Sequence, residues 1–317
     1  MQFTGLHHVT AISARIQANY QFYTQTLGMR LVKRSVNQDD VSAYHLFYAD
    51  AKGSPGTDLT FFDWPVPPEQ RGGRSITRTS LRVAGAEAIT WWWQHLRHLG
   101  VKVGEPAESD SRLTLAFEDG EGQRLALVDD GEVGSAYPWE RSPVPAAYQI
   151  RGLGPVMLSV PDLAPTDAVL TNALNMRLVR DYAHPDDARS TVHVYAMGDG
   201  GPAAELHLAV QPHLPPAHQG AGGVHHLALR TPDDAYDAWA QRLRALRIPN
   251  SGKVDRYWFR SLYFHIPGGI LFEIASDGPG FAVDEDEATL GEKIVLAPFL
   301  EPQREAIVAK LKPLNDA

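Results

Sequence analysis

One carboxylate stands inside one of the most apolar stretches of the chain. The stretch 261–281, SLYFHIPGGILFEIASDGPGF, is typical of two strands joined by a Pro-Gly-Gly turn, and Glu273 lies between Phe272 and Ile274 in the second strand. A carboxylate buried there without a partner costs several kcal/mol, whereas strand alternation would let it point to water. A metal ion is a partner that makes the burial favourable.

Two histidine pairs are placed to supply the other metal ligands. His7-His8 and His225-His226 each begin an apolar, strand-like run, in front of Val9 and Leu227. Two imidazoles and one carboxylate, with further positions left open, are the ligand set of non-haem Fe(II) oxygenases, and Mn²⁺, Zn²⁺ or Ni²⁺ use similar ligands. The pattern therefore predicts a divalent metal site.

Only one histidine of each pair can face a given side of a regular strand, because successive side chains alternate. His8 and His226 hold matching positions relative to the apolar residues that follow them, so we predict that these two and Glu273 bind the metal. His7 and His225 should then lie behind the ligands or at the rim, unless the strands are irregular there.

The elements that must position these residues come from an internal repeat. When the chain is shifted by about 147 residues without gaps, Leu27–Val32 falls on Leu174–Val179, and Trp92–Leu99 falls on Trp239–Leu246. One frame that holds at several separated places indicates two copies of one unit. We expect a first repeat over 1–147, a second over 148–276, and a C-terminal tail over 277–317 with a helix near 301–311.

Each repeat divides again into two modules of the order β-α-β-β-β. In the first module, the hydrophobic periodicity predicts a strand at 5–12, a helix at 14–28, and strands at 30–36, 42–49 and 58–63. The fold class predicted is α+β, with four such modules. A single module cannot close its own sheet, so we expect pairs of modules to form two curved-sheet cups.

The repeat also predicts that the two cups differ. If the first and fourth modules share a cup, that cup contains all three predicted metal ligands. In the repeat frame their counterparts are Pro155 for His8, Thr79 for His226 and Ala126 for Glu273. The cup of the second and third modules is therefore expected to hold no metal-binding residue.

Composition narrows the classes of function. The chain has 317 residues, a formal net charge of −9 and no cysteine. Negative charge argues against nucleic acid and anionic membranes as partners, and the lack of cysteine excludes disulfides and thiolate chemistry. We expect a cytoplasmic protein without a membrane-spanning segment. Apart from the two pairs, the histidines, His45 among them, are expected to be structural or surface residues.

At this point the sequence resembles a known family. The repeated β-α-β-β-β order with His in a first strand and Glu in a last strand resembles the vicinal oxygen chelate superfamily, which includes glyoxalase I, drug-resistance proteins and type I extradiol dioxygenases. Four strings are similar to the ring-cleaving branch that includes hydroquinone 1,2-dioxygenases: GLHHVTAI, GGVHHLAL, SLYFHIPGGILFEIASDGPGF and LGEKIVLAPFLEPQREAI. The resemblance covers essentially the whole chain.

The resemblance implies a dioxygenase that opens a hydroquinone- or catechol-type ring and places both atoms of O₂ in the product. It implies Fe(II) as the metal and allows a homo-oligomer. It also implies supporting roles around the metal for five residues: His7, Thr10, His225, Arg256 and Tyr263. Either His225 or His7 would take the phenol proton near neutral pH, while Tyr263 and Arg256 would stabilise negative charge.

Two other functions suit the same superfamily. A glyoxalase I-type isomerase needs a second carboxylate from the strand 59–62, where Asp63 is the nearest acid and is poorly spaced. A non-catalytic protein that sequesters a drug or an aromatic compound is the other alternative, and such proteins often lack metal ligands. The predicted ligand set favours the dioxygenase over both.

Overall fold

The structure is a computed structural model that describes residues 1–315. One of its two eight-stranded sheets combines strands from both ends of the chain. In spatial order these are β14 (Val254–Asp255), β15 (Arg260–His265), β16 (Leu271–Ser276), β13 (Val224–Thr231), β1 (Gly5–Ser13), β4 (Asp58–Asp63), β3 (Asp40–Ala49) and β2 (Arg30–Asn37). Modules one and four therefore share one curled sheet, which is the pairing that would bring the three predicted ligands together.

The other sheet is built from the middle of the chain. In spatial order its strands are β10 (Arg177–Ala183), β11 (Thr191–Ala196), β12 (Glu205–Val210), β9 (Gly152–Val160), β5 (Ser75–Val83), β8 (Arg124–Asp129), β7 (Arg112–Glu118) and β6 (Ala107–Ser109). The same strand order recurs in both sheets, with an antiparallel pair at each centre. The α+β class and the pairing of modules into two sheets are confirmed.

Among the described residues, five α-helices accompany the sheets, and the two longest each bury an apolar side. The five are α1 (Ile16–Gln21), α2 (Gly85–His98), α3 (Leu163–Ala168), α4 (Tyr236–Ala245) and α5 (Arg304–Val308). Trp92 of α2 and Trp239 of α4 are fully buried in a core shared by both sheets. Truncating either side chain to alanine would cost roughly 3–5 kcal/mol. No helix among residues 1–315 is long and apolar enough to cross a membrane.

Two helices are shorter than the sequence predicts. The helix expected at 14–28 is α1 followed by a π-helical turn, Phe22–Thr26, in which the Leu27 amide donates to the Phe22 carbonyl. The wider turn leaves both Tyr23 and Leu27 buried. In the tail, Pro302 lies in a 3₁₀ turn, Glu301–Gln303, so α5 begins only at Arg304.

The tail folds back over the first sheet. Lys33 of β2 is completely buried, and its ammonium group donates to the carboxylates of Asp284 and Glu285 and to the carbonyl of Phe281. The same ammonium lies 5.1 Å from the centre of the Trp258 ring. The tail is thus fixed to the sheet that carries the predicted metal ligands.

Candidate metal centre and aromatic cavity

The structure brings the three predicted ligands together. His8 of β1, His226 of β13 and Glu273 of β16 come from three adjacent strands and are all buried. The two Nε2 atoms are 3.3 Å apart, and Glu273 Oε2 lies 3.2 Å from His8 Nε2 and 3.0 Å from His226 Nε2. Three donor atoms therefore converge on one point.

Irregular strands resolve the conflict between the paired histidines and strand alternation. In the β1–β13 ladder, His7 and His225 are the extra residues at two register shifts. Each bulge re-aims its side chain, so that His7 Nδ1 lies 2.9 Å from His8 Nδ1, and His225 Nδ1 lies 2.8 Å from His226 Nδ1. Both members of each pair therefore belong to the site.

These contacts determine which nitrogens can bind a metal. An imidazole that binds a metal through Nε2 carries its proton on Nδ1 and donates it to a second group. Here the acceptors for His8 and His226 are the Nδ1 atoms of His7 and His225. In this tautomer His225, which lines the cavity described below, carries its own proton on Nε2.

Glu273 is held by a residue that the sequence did not single out. The Ser261 hydroxyl donates to Glu273 Oε1 at 2.5 Å, which leaves Oε2 for the histidines. Burial alone raises the pKa of Glu273, but the neighbouring imidazoles of His8 and His226 outweigh it and hold the pKa well below its ordinary value. From the sequence, Ser261 could have been singled out only because strand alternation places it on the same face as Tyr263, two residues away.

The donor set fits a divalent metal. Glu273 Oε2 is completely buried and accepts no well-aligned hydrogen bond, although both Nε2 atoms lie close to it. A buried carboxylate oxygen without such a bond is costly. A cation coordinated by His8, His226 and Glu273 would satisfy it together with both imidazole lone pairs.

Beside the three ligands lies a cavity of about 360 Å³. Its wall contains six aromatic side chains besides histidine: Phe47, Phe62, Trp64, Trp258, Phe259 and Tyr263. Flat apolar walls with a few polar groups are typical of sites for small aromatic ligands. Trp258 is fixed from behind, because its Nε1 donates to Asp284 of the tail at 2.9 Å.

Tyr263 and Arg256 border the same cavity. Tyr263 pairs with Glu273 across β15 and β16, and its hydroxyl accepts a hydrogen bond from Arg256 Nε at 3.2 Å. The guanidinium also makes a two-pronged pair with Asp39. Burial, followed by the charge of Glu273, raises the pKa of Tyr263, so its phenol stays protonated and can donate.

Thr10 takes part through a chain of hydrogen bonds. Its hydroxyl lies 2.8 Å from that of Thr60, which lies 2.9 Å from Nε2 of His45. His45 lines the cavity and is therefore not the purely structural or surface residue that the sequence analysis expects. No spacing or repeat marked it, because its place depends on the curl of the sheet.

The paired histidines behave differently from a base that titrates near neutral pH. Burial, followed by the neighbouring ligand His8, lowers the pKa of His7 to about 3, and burial, followed by His226, lowers the pKa of His225 to about 3. Both rings are therefore neutral throughout the physiological range. Desolvation keeps these imidazoles uncharged, and the proton-accepting role expected of them stays a prediction.

The position opposite Glu273 is occupied by a threonine. Glu273 pairs with Ala228, two residues after His226, and Thr60 pairs with Thr10, two residues after His8. Thr60 is therefore the counterpart of Glu273 in the first module. The acids of that strand are at its two ends: Asp63 is bound by Lys312 at 2.6 Å, and Asp58 is not part of the group formed by His8, His226 and Glu273. Among residues 1–315, the cup contains no second carboxylate in a ligand position.

The family follows from a comparison with known proteins. Residues 5–127 and 152–274 each match the model of the Glyoxalase/Bleomycin resistance protein/Dioxygenase superfamily. The chain belongs to this superfamily. The two matched segments correspond to the two repeats recognised in the sequence.

Full-length relatives within the superfamily are ring-cleaving dioxygenases by name. The protein provisionally named ring-cleaving dioxygenase MhqA of Bacillus subtilis strain 168 is 44% identical over 318 residues, covering 99% of this chain and 100% of the relative. The chlorohydroquinone/hydroquinone 1,2-dioxygenase of Sphingobium indicum is 30% identical over 322 residues, covering 98% and 96%. A crystal structure of a provisionally named dioxygenase from Bacillus subtilis has a TM-score of 0.90 at 32% identity, covering 99% and 98%.

The second cup of this superfamily member differs from expectation. It contains Asp110, Glu205 and His207, whose ligand atoms all lie within 4.8 Å of one another, so the expectation that it holds no metal-binding residue is wrong. Both carboxylates are already paired with guanidinium groups: Arg112 lies 2.7 Å from Glu205, and Arg180 contacts both acids. The remaining cavity is about 30 Å³.

Proposed function

We propose that this protein is an Fe(II)-dependent ring-cleaving dioxygenase that inserts both atoms of O₂ into a hydroquinone- or catechol-type aromatic. The observation that carries the proposal is a buried two-histidine, one-carboxylate set beside an aromatic cavity, with Thr60 in the place of a fourth ligand. When bound, Fe(II) supplies adjacent open positions for a substrate oxygen and O₂ and connects them electronically.

In this proposal the ligands are His8, His226 and Glu273. Ser261 orients the carboxylate, and His7 and His225 orient the two imidazoles through their Nδ1 atoms. Such supporting hydrogen bonds fix the tautomer and the ring orientation of metal-bound histidines.

The remaining residues act on the substrate. The aromatic walls hold the ring and exclude water from it. His225 Nε2–H and the Tyr263 hydroxyl donate hydrogen bonds to substrate oxygen as it gains negative charge, and Arg256 stabilises Tyr263 through its Nε. Donors fixed in advance in a dry site stabilise developing charge more than water does.

The absence of a fourth protein ligand favours this function over a glyoxalase I-type isomerase. The isomerase alternative requires a second carboxylate on β4, where the structure has Thr60, and Asp63 is engaged by Lys312. A non-catalytic binding protein would have no use for three converging, buried metal ligands.

The test combines metal analysis with oxygen uptake. Protein purified without oxygen should contain about one iron per chain, and it should consume O₂ with a hydroquinone or a catechol while giving a ring-opened product. His8→Ala, His226→Ala and Glu273→Ala should each lose metal and turnover but remain folded. Iron-loaded protein that consumes no O₂ with any of these aromatics, or an active nickel or zinc form with isomerase activity, would contradict the proposal.

A further inference from the structure

His45 occupies a place in the cavity that the proposed chemistry does not use. Its ring lies on Phe47 and Phe62, with ring centres 4.0 Å and 4.5 Å away, and its Nε2 is 2.9 Å from the Thr60 hydroxyl. Two aromatic contacts and a hydrogen bond at one ring nitrogen fix the orientation of the imidazole. The ring therefore presents its other nitrogen, Nδ1, in a defined direction.

Nδ1 of His45 is available to a ligand. It has no hydrogen-bond partner among residues 1–315 and is accessible from the cavity that the ring lines. A neutral imidazole has one donor and one acceptor nitrogen, and a hydroxyl both donates and accepts. Either tautomer therefore leaves Nδ1 able to make one hydrogen bond to a hydroxyl group.

Most other polar groups in the cavity wall are already engaged. The guanidinium of Arg256 is bound to Asp39 and Tyr263, and Trp258 donates its only N–H to Asp284. The Gln38 amide donates to the Arg256 carbonyl. His45 thus combines a fixed ring with an unused nitrogen.

His45 and the metal ligand His226 are both neighbours of one aromatic ring, that of Phe62. The centre of the Phe62 ring lies 4.5 Å from that of His45, 5.4 Å from that of His225 and 6.4 Å from that of His226, and all four side chains line the cavity. A single substrate ring in the cavity beside Phe62 would therefore be near both His45 and the ligands. One of its oxygens would lie at the ligands while a substituent on the far side would lie at His45.

We propose that His45 Nδ1 binds the second hydroxyl of a para-dihydroxybenzene whose first oxygen is at the metal, so that His45 selects hydroquinones. This inference rests on the proposed function for the position of the first oxygen. In a catechol the two hydroxyls are adjacent and both lie at the metal side. In phenol the second hydroxyl is missing, so neither compound reaches His45.

The test compares the binding of two ligands to His45→Phe, which keeps a ring but loses Nδ1. Dissociation constants for hydroquinone and phenol are measured anaerobically on metal-loaded protein, so that no turnover is needed. The parent should bind hydroquinone more tightly than phenol. His45→Phe should weaken hydroquinone binding roughly 10- to 100-fold, the loss expected for one buried hydrogen bond, with phenol affected less than about twofold.

His193→Phe is the matched control, because it makes the same chemical change on β11 of the other sheet and should alter neither constant. If His45→Phe does not fold, Thr60→Val removes the hydroxyl that fixes the ring and should reduce the same discrimination. A parent that does not distinguish the two ligands, or a His45 variant that still does, overturns the proposal. Failure of ring cleavage in the oxygen-uptake test would leave this binding comparison readable, so the two proposals fail separately.

Discussion

At the scale of the residue, the site depends on single hydrogen bonds behind the ligands. Ser261→Ala removes the hydroxyl that donates to Glu273 Oε1. Because supporting partners typically contribute 10- to 100-fold in metal affinity, we expect a loss of about that size with the fold intact. Metal affinity is measured by competition with a chelator. Ser159→Ala, a buried serine of the other sheet, is the control and should not change it.

Tyr263 and His225 should affect the reaction without affecting metal retention. Neither is a predicted ligand, and both line the cavity. Tyr263→Phe and His225→Ala should keep about one iron per chain and lose on the order of 10²–10³ in kcat. Iron content and kcat are measured on the same samples. If both variants turn over at the rate of the parent, neither residue has the proposed role in the reaction.

The pKa of His225 also predicts how the rates of the parent and of His225→Ala depend on pH. Because burial and His226 hold this pKa at about 3, the ring is neutral from pH 5 to 8. The parent and His225→Ala should therefore have rate–pH profiles of the same shape in this range. If the rate of the parent changes with pH near pH 6.5 and that of His225→Ala does not, His225 titrates there and this expectation is wrong.

Asp58 is a buried carboxyl group that costs stability as pH rises. It is 1% exposed, and neither oxygen has a hydrogen-bond partner among the described residues. Burial, followed by the charge of Asp50, raises the pKa of Asp58 well above its ordinary value. A group that binds its proton more tightly when folded stabilises the protein fully below its unfolded pKa, and that stability is lost as pH rises towards the folded pKa.

Asp58→Asn should therefore be increasingly more stable than the parent as pH rises from about 4. The expected gain is on the order of 1 kcal/mol per pH unit until the folded pKa is reached. Free energies of unfolding at pH 4, 6 and 8 measure it, with Asp199→Asn on an exposed loop as the control. A difference that does not change with pH would mean that Asp58 is ionised and compensated.

Residue identities could be predicted only where a pattern marked them. Glu273 in an apolar strand and the matching histidine pairs were sufficient to choose the three side chains that the structure brings together. Ser261 and His45 were not found, because a serine in a strand and a lone histidine have many ordinary roles. Their importance depends on distances of 2.5 Å and 2.9 Å to other side chains, which strand periodicity does not contain.

At the scale of the element, hydrophobic periodicity predicted the order of strands and helices but not their irregularities. The bulges at His7 and His225 place both histidines of each pair at the site. A bulge needs one extra residue in one strand, and no sequence pattern distinguishes that residue from its neighbours. The positions of the ligands in the first and fourth modules indicated where they meet, whereas the bulges determine how their Nδ1 atoms are held.

The tail is an element whose role can be tested at one buried cation. Lys33→Met would leave Asp284 and Glu285 without their partner, and Asp284 also holds Trp258 in the cavity wall. We expect a loss of roughly 3 kcal/mol in the free energy of unfolding, faster proteolysis within 281–296 and a higher KM for the aromatic. Iron content should not change.

The control for this experiment is Lys253→Met. Lys253 makes an ion pair with Asp237 at 2.7 Å, but both side chains are more than half exposed. Exposed pairs contribute about 1 kcal/mol or less, so stability and KM should stay close to the parent. Equal effects of the two substitutions would show that burial of Lys33 is not what fixes the tail.

At the scale of the whole molecule, one repeated plan yields two different cups. The repeat predicted that modules pair, because an open sheet edge in one module must be covered by another, and the positions of the three ligands favoured the pairing of the first module with the fourth. Strands of both repeats share each sheet, and the boundaries 1–147, 148–276 and 277–317 stay a prediction. The content of the second cup was not predictable, because Arg112, Arg180 and Glu205 meet only after the sheet has curled.

The filled second cup predicts one metal per chain, even when the missing carboxylate is restored. Ala126, the counterpart of Glu273 in the repeat frame, is fully buried and lines a cavity of about 30 Å³. In Ala126→Glu the new carboxylate would enter the cavity that Asp110 lines, and Asp110 and Glu205 already balance the charges of Arg112 and Arg180. An added buried charge without a free cation destabilises the fold, and the counterparts of the two histidines are Pro155 and Thr79. We therefore expect a lower melting temperature and still one iron per chain. Two irons per chain in this variant would show that a metal can replace Arg112 and Arg180 as the partner of the carboxylates, so that the second cup can bind a metal.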